Sequence, residues 1–372
     1  MKPIAPALFA EADTPALLLD EDQVRANIAT MQARVAGTGI ALRPHAKAHK
    51  SPLLAQLQRQ AGALGICCAK LSEAEAMAAG GQDDILVTTP VVEPRKILRL
   101  AALAKRIRLA VVADNEDNVH ALAAAATAAG AQIGVVVEVD VGQGRCGVAP
   151  GPQAAQLAAA IQAHAPALRF AGVQGYQGRL QNVACWDERV AGVRLAMDAL
   201  QRSLAGLREA GIAVPVVTGG GSGTAPIDIG LSVLNELQPG SYVTMDRPYA
   251  ATQWTQEGGL PPFGQPLLVL ASVVSRPSAD RVVIDVGWKS INSDGQQPVV
   301  WQRPDLQFEF AGDEHALLRP NGRFALDLQP GDRVLLVPGH CDTTVNLYDA
   351  FTVHRSGRLE SRWEIAARGK SQ

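Results

Sequence analysis

Arg43-Pro44-His45-Ala46-Lys47-Ala48-His49-Lys50 decides how the rest of the chain is read. The apolar run Ile40-Ala41-Leu42 leads into it and a helically periodic segment begins near Ser51, so it is a strand passing into a helix with Lys47 at the hinge. Strand alternation sets Arg43, His45 and Lys47 on one face and Leu42, Pro44 and Ala46 on the other. Three polar side chains at a strand's C-terminal end either line a cavity or form the solvated start of a helix, because a dry core would leave them unpaired. In a cavity, desolvation and cationic neighbours would take the proton from Lys47 and make it a nucleophile towards carbonyls.

From residue 40 onward apolar, partly β-branched runs recur. They lie at 40–44, 65–68, 85–87, 108–112, 133–139, 170–173, 214–217 and, more weakly, 236–238. Alanine- and leucine-rich stretches of helical period separate most of them, as at 115–129, 152–164 and 186–210. Eight strand candidates alternating with helices over about 200 residues predict an α/β fold, a (β/α)8 TIM-type barrel, with an open doubly wound sheet as the alternative. Upstream, Thr14-Pro15 precedes a strand at 16–20 and a helix at 23–34. After Tyr249 the texture changes. Gly258-Gly259-Leu260-Pro261-Pro262 marks a linker at 252–266. Short strands follow at 267–274, 282–286, 306–310, 334–337, 350–353 and 362–365, with turns such as Ser293-Asp294-Gly295 and Pro330-Gly331. The prediction is a barrel at 20–248 and an all-β domain at 249–372 that also takes in the N-terminal strand of residues 1–19.

Composition narrows the partners. The 372 residues are 47% hydrophobic and 19% charged with a formal net charge of −2, which gives no basic surface for nucleic acid or an anionic membrane. No run approaches the roughly 18 apolar residues of a membrane span. Met1-Lys2-Pro3-Ile4-Ala5-Pro6 lacks the sustained apolar region of a secretory signal. Cysteines 67, 68, 146, 185 and 341 are scattered, without a CxxC pair, and read as reduced thiols of a cytoplasmic protein.

A (β/α)8 barrel keeps its active site at the C-terminal ends of its strands. Those ends carry His45 and Lys47, then Lys70, Thr88-Thr89, Asp140 to Gly147, Tyr176 to Arg179, Thr218 to Gly223 and Pro239 to Tyr242. The last two loops, Thr218-Gly219-Gly220-Gly221-Ser222-Gly223 and Pro239-Gly240-Ser241-Tyr242, offer backbone N–H groups and hydroxyls to an anion such as phosphate. They match neither Walker A nor GxGxxG in its βαβ setting, and the alternative is a flexible turn. Arg145, among three glycines after the most apolar strand, either donates to an oxyanion or phenolate or lies on a surface loop. Tyr176 either meets a ring or is a half-buried core residue. In Pro338-Gly339-His340-Cys341-Asp342, extended backbone points His340 and Asp342 the same way, as a two-residue site for a divalent ion. Turned backbone would instead pair His340 with Cys341 and favour zinc.

These stretches, in this order, resemble the D-threonine aldolase and D-serine dehydratase-like family of pyridoxal phosphate enzymes with the alanine-racemase fold. The matching segments are Arg43 to Lys50, Asp140 to Gly147, Thr218 to Gly221, Glu236 to Tyr242 and His340-Cys341-Asp342-Thr343-Thr344. The resemblance implies a barrel binding pyridoxal 5'-phosphate, a C-terminal β domain and a homodimer. It makes Lys47 the Schiff-base lysine and His45 a candidate acid/base. Thr218, Gly220, Gly221, Gly240 and Ser241 would hold the cofactor phosphate, with Arg145 at its phenolic oxygen and Tyr176 near its ring. His340 and Asp342 would bind the divalent metal, Mn²⁺ or Mg²⁺, with Zn²⁺ as the alternative. His-x-Asp is the aldolase form of this motif, and D-serine dehydratases show His-x-Cys. One departure stands out: relatives often carry a histidine shortly after the tyrosine, where this chain has Gln177-Gly178-Arg179-Leu180.

The implied activity is cleavage of a small β-hydroxy-D-amino acid such as D-threonine to glycine and an aldehyde. The runner-up is dehydration of D-serine or D-threo-3-hydroxyaspartate to a 2-oxo acid and ammonia. Racemisation would leave the metal pair without a task. A non-catalytic pyridoxal phosphate-binding barrel would lack the β domain that carries His340.

Overall fold

A computed structural model describes residues 5–292, 294–322 and 325–372. Residues 1–4 and Ser293 of the predicted turn therefore lie outside the described residues. The fold opens with β1 (Ala16–Asp20) and α1 (Glu21–Val35), where the Asp20 carboxylate caps the helix by accepting from the Gln23 N–H. The first half then alternates strand and helix: β2 (Ala41–Leu42), α2 (Pro52–Gln60), β3 (Ile66–Cys68), α3 (Leu71–Ala79), β4 (Asp84–Val87), α4 (Pro94–Ala104), β5 (Arg108–Ala113) and α5 (Glu116–Ala129). It continues through β6 (Ile133–Glu138), α6 (Gln153–Ala163), β7 (Leu168–Gly175), α7 (Trp186–Glu209), β8 (Val217–Gly219), α8 (Ala225–Leu231) and β9 (Glu236–Leu237). The eight strands pair in parallel in the order β2-β9-β8-β7-β6-β5-β4-β3. A parallel bridge between His45 and Cys67, with the Cys67 N–H on the Pro44 carbonyl at 2.8 Å, joins the two ends and closes the barrel. The strand expected at 214–217 forms at 217–219, after Pro215, which has no N–H to give to a ladder.

Alternation along the strands sorts the barrel into two cores. Ile85, Val87, Leu109, Val111, Val135 and Val137 face outward against the helices, which is why these strands read as continuous apolar runs. Cys67, Leu86, Val112, Val136 and Ala171 face inward and pack together as a separate cluster. Polar layers lie on either side of it. At the N-terminal ends of the strands, Arg43 donates to Glu236 (3.0 Å) and to Asp84 (2.6 Å). At the mouth lie His45, Thr88, Glu138, Gln174, Thr218 and Gln238, all buried. Arg43 therefore belongs to the barrel floor. Removing it leaves the Glu236 carboxylate, 3% exposed, without its partner, so Arg43→Ala is expected to destabilise the chain by about 3–5 kcal/mol in urea denaturation. A loss below about 1 kcal/mol would show the pair to be dispensable.

The second half is a sheet in the order β13-β14-β11-β10-β1-β16-β17, with β15 paired to both β10 and β12. Its strands are β10 (Leu267–Ser278), β11 (Arg281–Ile284), β12 (Val299–Val300), β13 (Leu306–Phe310), β14 (Ala316–Pro320), β15 (Arg333–Val337), β16 (Ala350–Arg355) and β17 (Arg358–Glu364). β1 joins this sheet, antiparallel to β10 and parallel to β16. The second half is mostly β and not all-β, since it also contains α9 (Arg247–Ala250) and α10 (Cys341–Val345). The stretch at 252–266 is bound to the barrel. Trp254 is buried under the Arg34 guanidinium, and Arg189 donates to the Gln253 carbonyl.

Candidate active site

The 43–50 stretch is not one extended strand. β2 ends at Leu42, and Ala46–Ala48 form a 3-10 turn. Four of its five polar side chains are committed to the scaffold. Arg43 holds the floor. His45 takes the Lys47 N–H on Nδ1 (3.4 Å), so its proton sits on Nε2, which faces Thr88 Oγ1 at 3.0 Å. Burial lowers its pKa well below the usual value and Lys47 adds to this, so the ring is neutral with both nitrogens occupied. His49, held down at about 4 by burial, bonds Gln58 and the Ser51 N–H. Lys50 closes a buried ion pair with Glu73 at 2.5 Å. Lys47 is the exception: its side chain is 42% exposed, and Nζ lies 3.7 Å from Asp342 Oδ2. Its pKa is raised rather than lowered, because the Asp342 carboxylate outweighs burial and the cationic neighbour Arg145.

The β domain brings its own pair to the same place. The chain leaves β15 and stays extended at His340 (φ −149°, ψ 123°), then turns into α10, whose Cys341 N–H donates to the buried Asp246 carboxylate at 3.0 Å. His340 Nε2 and Asp342 Oδ1 end 3.9 Å apart. An ion about 2.0–2.2 Å from each atom would span that gap at a wide angle of roughly 135°, and a closing of the two side chains by about 1 Å brings them to right-angle positions. His340 Nδ1 meets Asp294 Oδ1 at 2.7 Å, the carboxylate–imidazole arrangement that orients a metal-binding histidine. Burial pushes Asp342 up, but Lys47 and His340 outweigh it and hold the carboxyl below its ordinary range. The Cys341 thiol is fully buried, which raises its pKa well above the usual value, so it is a poor zinc ligand. Among the described residues, no third His, Cys, Asp or Glu joins the pair to form a metal cluster.

The two glycine loops meet beside Lys47, where the His45 N–H donates to the Pro239 carbonyl at 3.0 Å. The N–H groups of Gly220, Ser222 and Gly240 are buried and donate to no protein acceptor among the described residues, so they are free to receive an anion. Gly220 has φ +64°, and a Cβ there would come 2.5 Å from Asp228 Oδ2. The Gly221 N–H is already given to Thr224 Oγ1 (3.1 Å), and the Gly223 N–H to Gln181 Oε1 (3.0 Å). Thr218 is fully buried and takes the Gln238 amide at 2.9 Å, below the open N–H groups. Ser241 is buried at the head of a 3-10 turn.

Burial raises Asp228 to about 7, although the Thr224 hydroxyl donates to it at 2.6 Å. A carboxyl whose pKa is raised by folding binds more protons in the native state between the two values, so its contribution is complete below about pH 4 and is lost as pH rises through 7. Asp228→Asn is therefore expected to gain stability relative to the parent between those pH values, up to roughly 4 kcal/mol. Paired urea titrations of the cofactor-free proteins check this, and a difference independent of pH would contradict it.

Across the mouth, Arg145 lies over the Tyr176 ring, 5.9 Å from its centroid, and 3.7 Å from Glu138. Glu138 is 3% exposed, with burial raising it to about 7, and ties Arg145 to the barrel wall. Three contributors had no motif to announce them. Asp294 sits in a turn about fifty residues before the histidine it orients. Gln181 braces the glycine loop from a neighbouring connection. Glu138 reads as one more strand residue, betrayed only by being a charge at the end of Val135-Val136-Val137.

A parallel barrel with a lysine at its mouth, an anion cradle from its last two connections and a sheet completed by the N-terminal strand is the alanine-racemase type of architecture. The family model for the alanine racemase N-terminal domain matches residues 19–248, and that for a serine dehydratase domain matches 266–354. The chain is 44% identical to the D-threonine aldolase of Arthrobacter sp, over 98% of its own length and 95% of the relative's. It is 38% identical to the 3-hydroxy-D-aspartate aldolase of Paracoccus denitrificans, over 97% and 93%. The crystal structure of D-threonine aldolase from Filomicrobium marinum matches with a TM-score of 0.93 at 41% identity, covering 98% of each chain. The chain belongs to the D-threonine aldolase and D-serine dehydratase-like family.

Proposed function

We propose that this chain is a lyase, dependent on pyridoxal 5'-phosphate and a divalent metal, that splits β-hydroxy-D-amino acids between Cα and Cβ and takes D-threonine to glycine and acetaldehyde. The meeting of Lys47 from the barrel with His340 and Asp342 from the β domain, at 3.7 Å and 3.9 Å, carries this reading. A racemase acts only at Cα and has no use for such a pair. The relatives are aldolases whose names share a hydroxyl at Cβ of a D-amino acid.

Both donor sets fit the groups they would hold. When bound, pyridoxal phosphate supplies an electron sink for the pair left at Cα, and a divalent ion supplies Lewis acidity towards the β-hydroxyl. Lys47 anchors the cofactor. The open N–H groups of Gly220, Ser222 and Gly240, with Ser241, take its phosphate; Thr218 and Gly221 shape the cradle from below. Arg145 donates to the phenolic oxygen, with Tyr176 beside the ring. His340 and Asp342 hold an ion that accepts one imidazole, one carboxylate and water, which suits Mn²⁺ or Mg²⁺. Asp294 keeps the Nε2 lone pair of His340 facing Asp342. His45, neutral and doubly bonded, positions the Lys47 turn. Residues 20–248 thus supply the cofactor side, and 249–372 with the N-terminal strand supply the metal side. A homodimer belongs to the same proposal; the apolar groove of Met245, Leu260, Phe263, Val299 and Trp301, with Leu260 73% exposed, is a candidate face for it. Five free cysteines fit a reducing cytoplasm, and no helix among the described residues is long and apolar enough to cross a membrane.

Turnover of D-threonine is expected to vanish in EDTA and return with Mn²⁺. Full activity in the chelator would overturn the metal assignment.

A further inference from the structure

Outside the barrel mouth, two histidines meet on the outer wall. His120 lies in α5 and His164 caps the C-terminus of α6; Nδ1 of the first and Nε2 of the second are 2.9 Å apart, with rings nearly perpendicular at 88°. His120 is exposed and His164 half-buried, so both rings can turn about their broad outer torsions. Moving the shared proton to the donor ring's other nitrogen frees a lone pair on each of the two facing nitrogens, and turning the rings lets both lone pairs meet one ion. At metal–nitrogen distances of about 2.0–2.1 Å, two ligands in cis positions of a square-planar or octahedral shell lie about 2.9 Å apart. The 2.9 Å in the structure is the ordinary length of an N–H···N hydrogen bond, so rotation of the two rings, and not their present separation, sets the coordination angle. The C-terminal end of α6 carries the negative pole of the helix. Glu116, one turn before His120 on the same face of α5, adds negative charge.

We propose that His120 and His164 form a second, peripheral metal site that takes imidazole-preferring divalent ions, Ni²⁺ and Cu²⁺ ahead of Zn²⁺, and leaves Mg²⁺ and Mn²⁺ to the oxygen-containing pair at the mouth. Water completes its shell, because no third protein ligand stands nearby among the described residues. The site is independent of the lyase reading.

The test is calorimetric titration of Ni²⁺ into the untagged holoenzyme saturated with cofactor and Mn²⁺. One binding event per chain is expected beyond any exchange at His340. It should persist in His315→Ala, an exposed lone histidine, and weaken by about a hundredfold or more in both His120→Ala and His164→Ala, because each leaves a single ligand. Ni²⁺ should raise the melting midpoint only where the pair is intact. Matching melting curves in EDTA establish that the variants fold, and turnover of His120→Ala should equal the parent's. Unchanged Ni²⁺ binding in either variant, or no event beyond the His340 site, overturns the proposal.

Discussion

Lys47→Ala is expected to lower kcat/KM by at least roughly a thousandfold and to abolish the absorbance band near the visible edge that bound pyridoxal phosphate gives and borohydride bleaches. The expectation follows from elimination within one stretch. Arg43, His45, His49 and Lys50 are each held by buried partners, and Lys47 alone extends towards Asp342. Lys50 supplies the control. Its amine is sealed against Glu73, which also accepts the Ala69 and Lys70 N–H groups, so Lys50→Ala should weaken the fold and leave the band. A folded Lys47→Ala protein that keeps a borohydride-sensitive band would remove the lysine from its assigned place.

Substitution of the proposed metal pair, His340 and Asp342, has the next largest expected effect, and a different signature. His340→Ala and Asp342→Ala should each lower turnover by about a hundredfold or more and leave the cofactor band in place, because both belong to the β domain and not to the cofactor cradle. Asp294→Asn separates orientation from ligation. It keeps a polar group beside His340 Nδ1 but removes the carboxylate, so metal affinity should fall by about 10–100-fold and excess Mn²⁺ should restore the rate. Loss of the band in Asp342→Ala, or an Asp294→Asn enzyme that Mn²⁺ does not rescue, would contradict this division.

The architecture was legible because the barrel strands carry apolar side chains on both faces. Runs such as Val135-Val136-Val137 stand out against alanine-rich helices with clear caps, and all eight strands fall at or beside their expected places. Positions set by the ends of elements were less legible. The 3-10 turn at Ala46–Ala48 breaks the alternation before Lys47, so its alignment with Arg43 was an accident of spacing: Arg43 points to the floor. The turn into α10 lies between His340 and Asp342, yet their side chains still converge. The raised pKa of Lys47 could not be read from its neighbours in sequence, because the carboxylate responsible lies almost 300 residues away. For the same reason Asp294, Gln181 and Glu138 carry no local signal: each acts by meeting a residue from another connection.

The most direct test of the central claim is product identification with the purified chain, pyridoxal phosphate, Mn²⁺ and D-threonine. Metal-dependent C–C cleavage predicts glycine and acetaldehyde in equal amounts and no ammonia. Ammonia with 2-oxobutanoate would show the same lysine and metal pair at work on the C–O bond, and would contradict the aldolase assignment.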